Sequence, residues 1–248
     1  MKKQILLFWL ISVLGFSQEN LLFDKANTLY NNGDYEGAIS VYDKILEGNV
    51  HSSALYFNMA NCYYKLNKIA PSIYYYEKAL MLSPKDKDVL NNLGFAEQMT
   101  IDKFDVIPEI GLTRVLNKMA RSISVDGWAV LCVLLMCLVV LFFVAYYLSH
   151  SARNKRIFFM LLLVSVVVLI SSFVLLNKKE DLDHKRFAIV FTQEVSVKLE
   201  PNLKSETAFI LHEGTKVQII EFYKERWAKI KLKDGNVGWM SNNAFKAL

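Results

Sequence analysis

Two uninterrupted apolar runs, from Trp128 to Leu148 and from Ile157 to Leu176, constrain this chain more than anything else in it. Each is about 20 residues long, and at about 1.5 Å per residue a helix of that length matches a hydrocarbon layer of roughly 30 Å. A helix satisfies its backbone hydrogen bonds internally, so both runs are expected to cross a membrane as helices. The intervening stretch, Ser149 to Arg156, carries Arg153, Lys155 and Arg156 with no acid, which by the positive-inside rule makes it a cytoplasmic loop. Trp128 at one end of the first run and Tyr146 with Tyr147 at the other suit the two membrane interfaces. The segments before and after the hairpin are then both expected outside the cytoplasm. Only Lys178 and Lys179, beyond the second run, pull against that orientation.

A third apolar run, Ile5 to Phe16, follows Lys2 and Lys3 and ends with Gly15 and Ser17 at small-residue positions. It reads as a secretory signal peptide over residues 1–18, and with no cysteine after it the lipoprotein class is excluded. If that signal stayed uncleaved, Lys2 and Lys3 would still remain inside and the outward placement of the domains would hold. The hydropathy of the chain, whose hydrophobic content is 53%, is concentrated in these runs.

The net charge of +5 invites a nucleic-acid reading, but its distribution argues otherwise. From Glu19 to Ile107 there are 8 basic residues against 12 acidic, and from Phe187 to the end 9 against 7. The excess therefore sits beside the apolar runs, where it sets membrane orientation, and no nucleic-acid partner is expected.

Cys62 falls in a helical segment and Cys132 with Cys137 in the first apolar run, so the three cysteines suggest no disulfide framework and no metal site. His51, His150, His184 and His212 lie in four separate regions and read as surface residues. Metalloprotease, nucleophile-elbow and phosphate-loop motifs are absent, so neither a catalytic residue nor a cofactor is expected.

Self-similarity at a fixed offset organises the segment after the signal. Ala26 matches Ala60, Asn27 matches Asn61, Tyr30 matches Tyr64, Ile39 matches Ile73, Tyr42 matches Tyr76, Lys44 matches Lys78 and Leu46 matches Leu80, always 34 residues apart. The stretch ALYFNMANCYYKL from Ala54, followed by SIYYYEKALMLSP from Ser72, resembles a tetratricopeptide repeat. The resemblance places Tyr56, Met59, Ala60 and Tyr63 at packing positions of a first helix and Ser72, Tyr76 and Ala79 at those of a second, closed by Pro84. Gly33 and Asp34 suit the turn inside the first repeat. A third first-helix begins near Asp88, with Leu90, Leu93 and Gly94 in matching positions, but no second helix of the repeat type follows. Residues 98–121, including Pro108 and the stripe Leu112, Val115, Leu116 and Met119, are expected to cap the array or to lie on the membrane surface.

Such repeats, as a family, bind peptides on the concave face lined by first helices. Matching positions here are Asn27, Asn58, Asn61 and Lys65. In the subgroup that clamps a C-terminal carboxylate, two asparagines correspond to Asn27 and Asn58, but Phe23, Asp88 and Asn92 stand where the resemblance calls for basic residues. Plain solvation of the asparagines or helix-face packing is the competing role for these amides.

From Phe187 onward alternation and β-branched residues replace the helical period, with turns at Pro201-Asn202, Glu213-Gly214 and Lys233-Asp234-Gly235. Six short strands are expected to close a small barrel. The sequence VSVKLEP from Val195, then LHEGTKV from Leu211, RWAKI from Arg226 and DGNVGWM from Asp234, resembles a bacterial SH3 domain. Tyr223, Trp227 and Trp239 are the groove candidates, with a place in the core as the competing role, more so for Trp239 than for Trp227. The resemblance leaves peptidoglycan peptides and protein segments open as ligands.

The expected map is a signal at 1–18, repeats over 19–100 (19–52, 53–86 and a partial 87–100) and an amphipathic linker at 101–126. A span at 127–148, a loop at 149–156, a span at 157–176 and an SH3 domain at 187–248 complete it. The fold class is thus a multidomain membrane protein: an all-α tetratricopeptide repeat solenoid, two transmembrane helices and an all-β SH3-like barrel. This order, with Asp102-Lys-Phe-Asp, Pro108-Glu109 and the Asp126-Gly-Trp opening of the first span, resembles the BatE proteins of the Bacteroides aerotolerance group. The resemblance implies a non-enzymatic scaffold of the periplasmic face of the inner membrane. Its implied partners are von Willebrand factor type A membrane proteins and a MoxR-type ATPase, besides the lipid bilayer. A cell-wall protein docking on peptidoglycan through its SH3 domain is the alternative.

Overall fold

Capping residues set the helix boundaries in the first half of the chain. The structure, a computed structural model, describes residues 21–104 and 111–248; the expected signal at 1–18 and Pro108-Glu109 lie outside the described residues. Helix α1 covers 21–31, and Gly33 with a φ of +83° turns the chain into α2, Tyr35–Glu47, whose first turn is capped by Asp34 accepting from Gly37 N–H at 2.9 Å. Ser52 and Asp86 cap α3, Ser53–Lys65, and α5, Lys87–Gln98, in the same way, with α4, Ile69–Leu82, between them. Asn49 and Asn67 take the left-handed backbone just past α2 and α3, a conformation asparagine tolerates better than most residues.

The five helices stack through small residues where backbones approach and tyrosines where they diverge. Ala26, Ala38, Met59, Ala60, Ala79 and Ser72 have no solvent exposure, and Tyr42 and Tyr76 have at most 1%. Ser72 donates its hydroxyl to the Ala60 carbonyl at 3.1 Å, so even the polar packing position is satisfied.

Seven antiparallel strands form the C-terminal sheet: β1 Arg186–Val190, β2 Glu194–Lys198, β3 Thr207–His212, β4 Lys216–Tyr223, β5 Trp227–Lys231, β6 Val237–Ser241 and β7 Phe245–Ala247. Their spatial order is β3-β2-β6-β5-β4-β1-β7. The sequence reading counted six strands. The additional one, β7, is three residues long, follows a 3-10 turn at Asn242–Ala244 and pairs with β1, so it shows no alternation of its own. One face of the sheet buries Ala188, Val197, Leu211, Val217, Ala228, Ile230 and Met240.

The described residues divide into two compact units. The five helices and the sheet, which flank the apolar hairpin in sequence, make up one of them. The other holds α6 Gly111–Ala120, α7 Val125–Leu148 and α8 Ala152–Asp183. Both α7, of 24 residues, and α8, of 32, are long and apolar enough to cross a membrane.

Helix α8 exceeds the run expected for it at both ends. It starts at Ala152, so Arg153, Lys155 and Arg156 sit on its first turns and the expected eight-residue connection shrinks to 149–151. It continues past Leu176 to Asp183, where Lys179 pairs with Asp183 one turn on at 2.7 Å. At about 1.5 Å per residue its 32 residues reach about 48 Å, longer than the roughly 30 Å thickness of an apolar layer.

Candidate functional site

The first helices of the repeats carry an amide at each repeat step, and the structure joins these amides in a ladder. Tyr42 donates its hydroxyl to Asn27 Oδ1 at 2.6 Å, and Asn58 Nδ2 donates to the same oxygen at 2.9 Å. Thirty-four residues on, Tyr76 donates to Asn61 Oδ1 at 2.5 Å and Asn92 Nδ2 donates to it at 2.9 Å. Each acceptor oxygen thus has both lone pairs occupied, and one first helix is tied to the next. Burial pushes the Tyr42 hydroxyl up to about 12 and raises Tyr76 as well, so both remain protonated donors.

The two rungs differ in what lies beside them. Asn61, Asn92 and Tyr76 line a cleft of about 240 Å³ together with Tyr30, Tyr64, Lys65 and Phe95. Phe95 is 56% exposed at its rim. Of the four residues singled out in the sequence, Asn61 and Lys65 reach this cleft, while Asn27 and Asn58 bond to each other in the first rung. Tyr30, Tyr64 and Phe95 supply its aromatic lining and were not picked as site residues. Asn92 was also missed, although its signal was present: it stands 34 residues after Asn58.

On the sheet, strand register puts Tyr223 opposite Trp227 and Lys229 opposite Trp239. Opposed residues share a face, and so do residues two apart, so Tyr223, Trp227, Lys229 and Trp239 lie together on the side away from Ala228, Ile230 and Met240. The Tyr223 and Trp239 rings meet edge to face at 6.0 Å, and Lys229 Nζ stands 5.5 Å from the Trp239 ring centre. The result is a half-exposed aromatic patch flanked by cations.

A third constellation links repeats to sheet. Asp102, its side chain 10% exposed, accepts from His212 N–H at 2.7 Å and from the Thr215 hydroxyl at 2.6 Å with one oxygen, and meets His212 Nδ1 at 2.8 Å with the other. Burial works to raise this carboxyl, but the Thr215 and His212 bonds outweigh it and hold it below the usual aspartate value. Glu77 on α4 pairs with Lys216 at 2.5 Å, and Glu97 on α5 with Lys233 at 3.2 Å. His212 therefore serves as a partner in a partly buried network, where the sequence reading made it a surface residue.

Apolar contacts close the same joint. Ile189 is fully buried among Ile73, Val89, Leu93 and Ala96, with Phe191 and Leu248 packed beside it. Phe104 packs, partly buried, against the sheet core. Gly214, at a φ of +84°, is seated so closely that a Cβ there would come within 2.9 Å of Ile69 and Thr100. Among the described residues no further repeat helix follows α5, and Ile189 of β1 clusters with its Val89, Leu93 and Ala96.

Comparison with known proteins agrees with the repeat assignment. Residues 20–47 and 53–86 each match a tetratricopeptide repeat family model, so this part of the chain is built of such repeats. The chain is 32% identical over 101 residues to a TPR repeat-containing protein of Methanocaldococcus jannaschii, covering 18% of that protein, and 33% identical over 55 residues to the Cell wall-binding protein YwsB of Bacillus subtilis, covering 31%. It thus spans less than a third of the length of either curated relative. Among solved structures, the first TPR of Spaghetti (RPAP3) bound to an HSP90 peptide is 21% identical with a TM-score of 0.23, covering 33% of this chain and 92% of that one. The TPR2AB domain of yeast Sti1, in complex with HSP90, is 18% identical with a TM-score of 0.30, covering 66% and 52%.

Proposed function

We propose that the protein is a membrane-anchored scaffold in which repeats and sheet form one binding head on the periplasmic face of the bacterial inner membrane. One observation carries the reading: the Asp102, Glu77 and Glu97 contacts tie residues before the hairpin to residues after it. A head built from both flanks requires the chain between them to cross the membrane an even number of times. Helices α7 and α8 supply two crossings, and Arg153, Lys155 and Arg156 at their junction favour the cytoplasm.

The head offers two surfaces to partners. The cleft around Asn61, Lys65 and Phe95 suits an extended peptide, with the amides and Lys65 as polar contacts and the tyrosines as apolar walls. The sheet, an SH3-like module in this reading, offers the patch of Tyr223, Trp227 and Trp239. Two weak contacts on one rigid head act at high effective concentration on a shared partner. The BatE-like module order points to von Willebrand factor type A membrane proteins and a MoxR-type ATPase as partners in an aerotolerance-type envelope complex, with no catalytic step in this chain.

The test is affinity capture of the full chain from detergent-solubilised membranes, alongside Tyr64→Ala/Phe95→Ala. The reading expects membrane proteins to co-purify with the parent chain and at least one to be lost from the variant at unchanged melting temperature; an identical set from both overturns it. The likeness to a protein named for cell-wall binding favours a second reading, in which the sheet docks on peptidoglycan. Sedimentation with insoluble peptidoglycan, abolished by Trp239→Ala, would support that alternative.

A further inference from the structure

Helix α6 presents three different faces. Leu116, Asn117 and Ala120 turn inward, Leu116 and Ala120 joining Trp128 and Leu175 in a small apolar cluster. The Trp128 indole N–H, itself buried, donates to the Ala120 carbonyl at 3.1 Å and fixes the end of α6 at the first turn of α7. A second face carries Leu112, Val115 and Met119, which are 73%, 52% and 48% exposed. Their spacing of three and four residues makes one stripe. The third face holds Arg114 and Lys118, one turn apart and both exposed, and no acid occurs anywhere from 111 to 123.

We propose that α6 is an interfacial helix that binds anionic phospholipid, with Leu112, Val115 and Met119 entering the boundary between headgroups and acyl chains and Arg114 and Lys118 holding lipid phosphates. The proposal rests on the reading that α7 and α8 cross the membrane. Charge and continuity together select a lipid surface as the occupant. The apolar stripe ends at Met119, next to the Ala120 carbonyl that Trp128 holds, and the exposed apolar surface of α7 begins two residues past Trp128 with Val130, Val133 and Leu134, each 57% to 62% exposed. A short helix with an apolar stripe, a basic flank and an anchoring tryptophan is the pattern that lies in the plane of a membrane. Among the described residues of this unit the acids are Asp126, Glu180, Asp181 and Asp183, all on α7 and α8; Asp183 pairs with Lys179 and Glu180 faces His184. Arg114 and Lys118 form no salt bridge with them among the described residues.

The test uses the full chain with Cys132→Ala and Cys137→Ala, reconstituted into phosphatidylcholine vesicles with or without phosphatidylglycerol. Cys62 stays unlabelled, being fully buried with its thiol pushed up to about 12 by burial. A polarity-sensitive dye is placed at Val115→Cys or at Leu134→Cys, and spin-labelled lipids quench it either near the headgroup or deep in the acyl layer. The label at 134 should respond to the deep quencher in both vesicle types. The label at 115 should respond to the shallow quencher, about twofold more strongly with phosphatidylglycerol present, and Arg114→Glu/Lys118→Glu should remove that gain while leaving the signal at 134 unchanged. Quenching at 134 without quenching at 115 overturns the proposal and leaves the crossing intact. No quenching at 134 overturns the crossing and the proposal with it. A phosphatidylglycerol gain that survives charge reversal overturns the phosphate contacts.

Discussion

Two joints hold the head together, and they are built from opposite materials. Between repeats, neutral groups meet: tyrosine hydroxyls and asparagine amides, repeated at a 34-residue step. Between repeats and sheet, carboxylates meet their hydrogen-bond donors once, with no repetition: Asp102 with His212 and Thr215, Glu77 with Lys216, Glu97 with Lys233. A neutral rung costs little to desolvate and fits any number of copies. An ionic contact that is nearly buried demands partners of opposite sign on both sides, so it fixes one particular sheet on one particular helix pair.

The largest expected effect breaks the ionic joint. Asp102→Ala leaves the His212 N–H and the buried Thr215 hydroxyl without an acceptor, and should cost about 3 kcal/mol, read as a lower melting temperature and faster proteolysis between sheet and repeats. Gly214→Ala should follow at about 2 kcal/mol, since a left-handed backbone and a Cβ pressed on Ile69 and Thr100 combine in one residue. On the neutral side, Asn92→Ala removes one donor from a rung and should cost about 1 kcal/mol, with Asn58→Ala giving a similar loss at the equivalent position. Lys233→Ala, which removes an exposed ion pair, should change stability by no more than about 0.5 kcal/mol and remove part of the salt dependence.

Titration separates the joints from opposite ends of the pH scale. The folded Asp102 carboxyl lies below its unfolded value of 3.8, so its contribution is complete above that pH and is lost as pH falls through the folded value. Tyr42 runs the other way. Its folded value of about 12 exceeds the unfolded 10.0, so the contribution is complete below pH 10 and is lost as pH rises toward 12. Circular dichroism melts across both ranges should therefore show an acid limb that Asp102→Ala flattens and an alkaline limb that Tyr42→Phe makes less steep, the raised Tyr75, Tyr76 and Cys62 keeping the remainder.

The contrast also explains what could be read from the sequence. Asn27 with Asn61 and Tyr42 with Tyr76 stood out because a neutral joint that recurs leaves a period, and the apolar runs stood out because lipid-thickness helices need unbroken stretches. Asn92 was read against a basic consensus position, which hid its equivalence to Asn58. Asp102 belonged to a stretch that carries the family resemblance, but nothing marked it as a contact residue, because its partners stand 110 and 113 residues away, beyond the hairpin, and Glu77 is 139 residues from Lys216. Strand alternation placed most of the sheet but not β7, whose three residues are held by pairing with β1. The extension of α8 was hidden as well, since hydropathy ends at Leu176 while the helix continues on pairs such as Lys179 with Asp183.

The central claim is that the two flanks of the hairpin form one head on one side of the membrane. Glu97→Cys/Lys233→Cys tests it directly, because those side chains meet at 3.2 Å and are both partly exposed. Membranes are treated with a short, membrane-impermeant bis-maleimide, and the chain is then cut at a protease site inserted between His150 and Ser151. The account expects the two halves to remain covalently joined on denaturing electrophoresis. Halves that separate although both cysteines have reacted would contradict it.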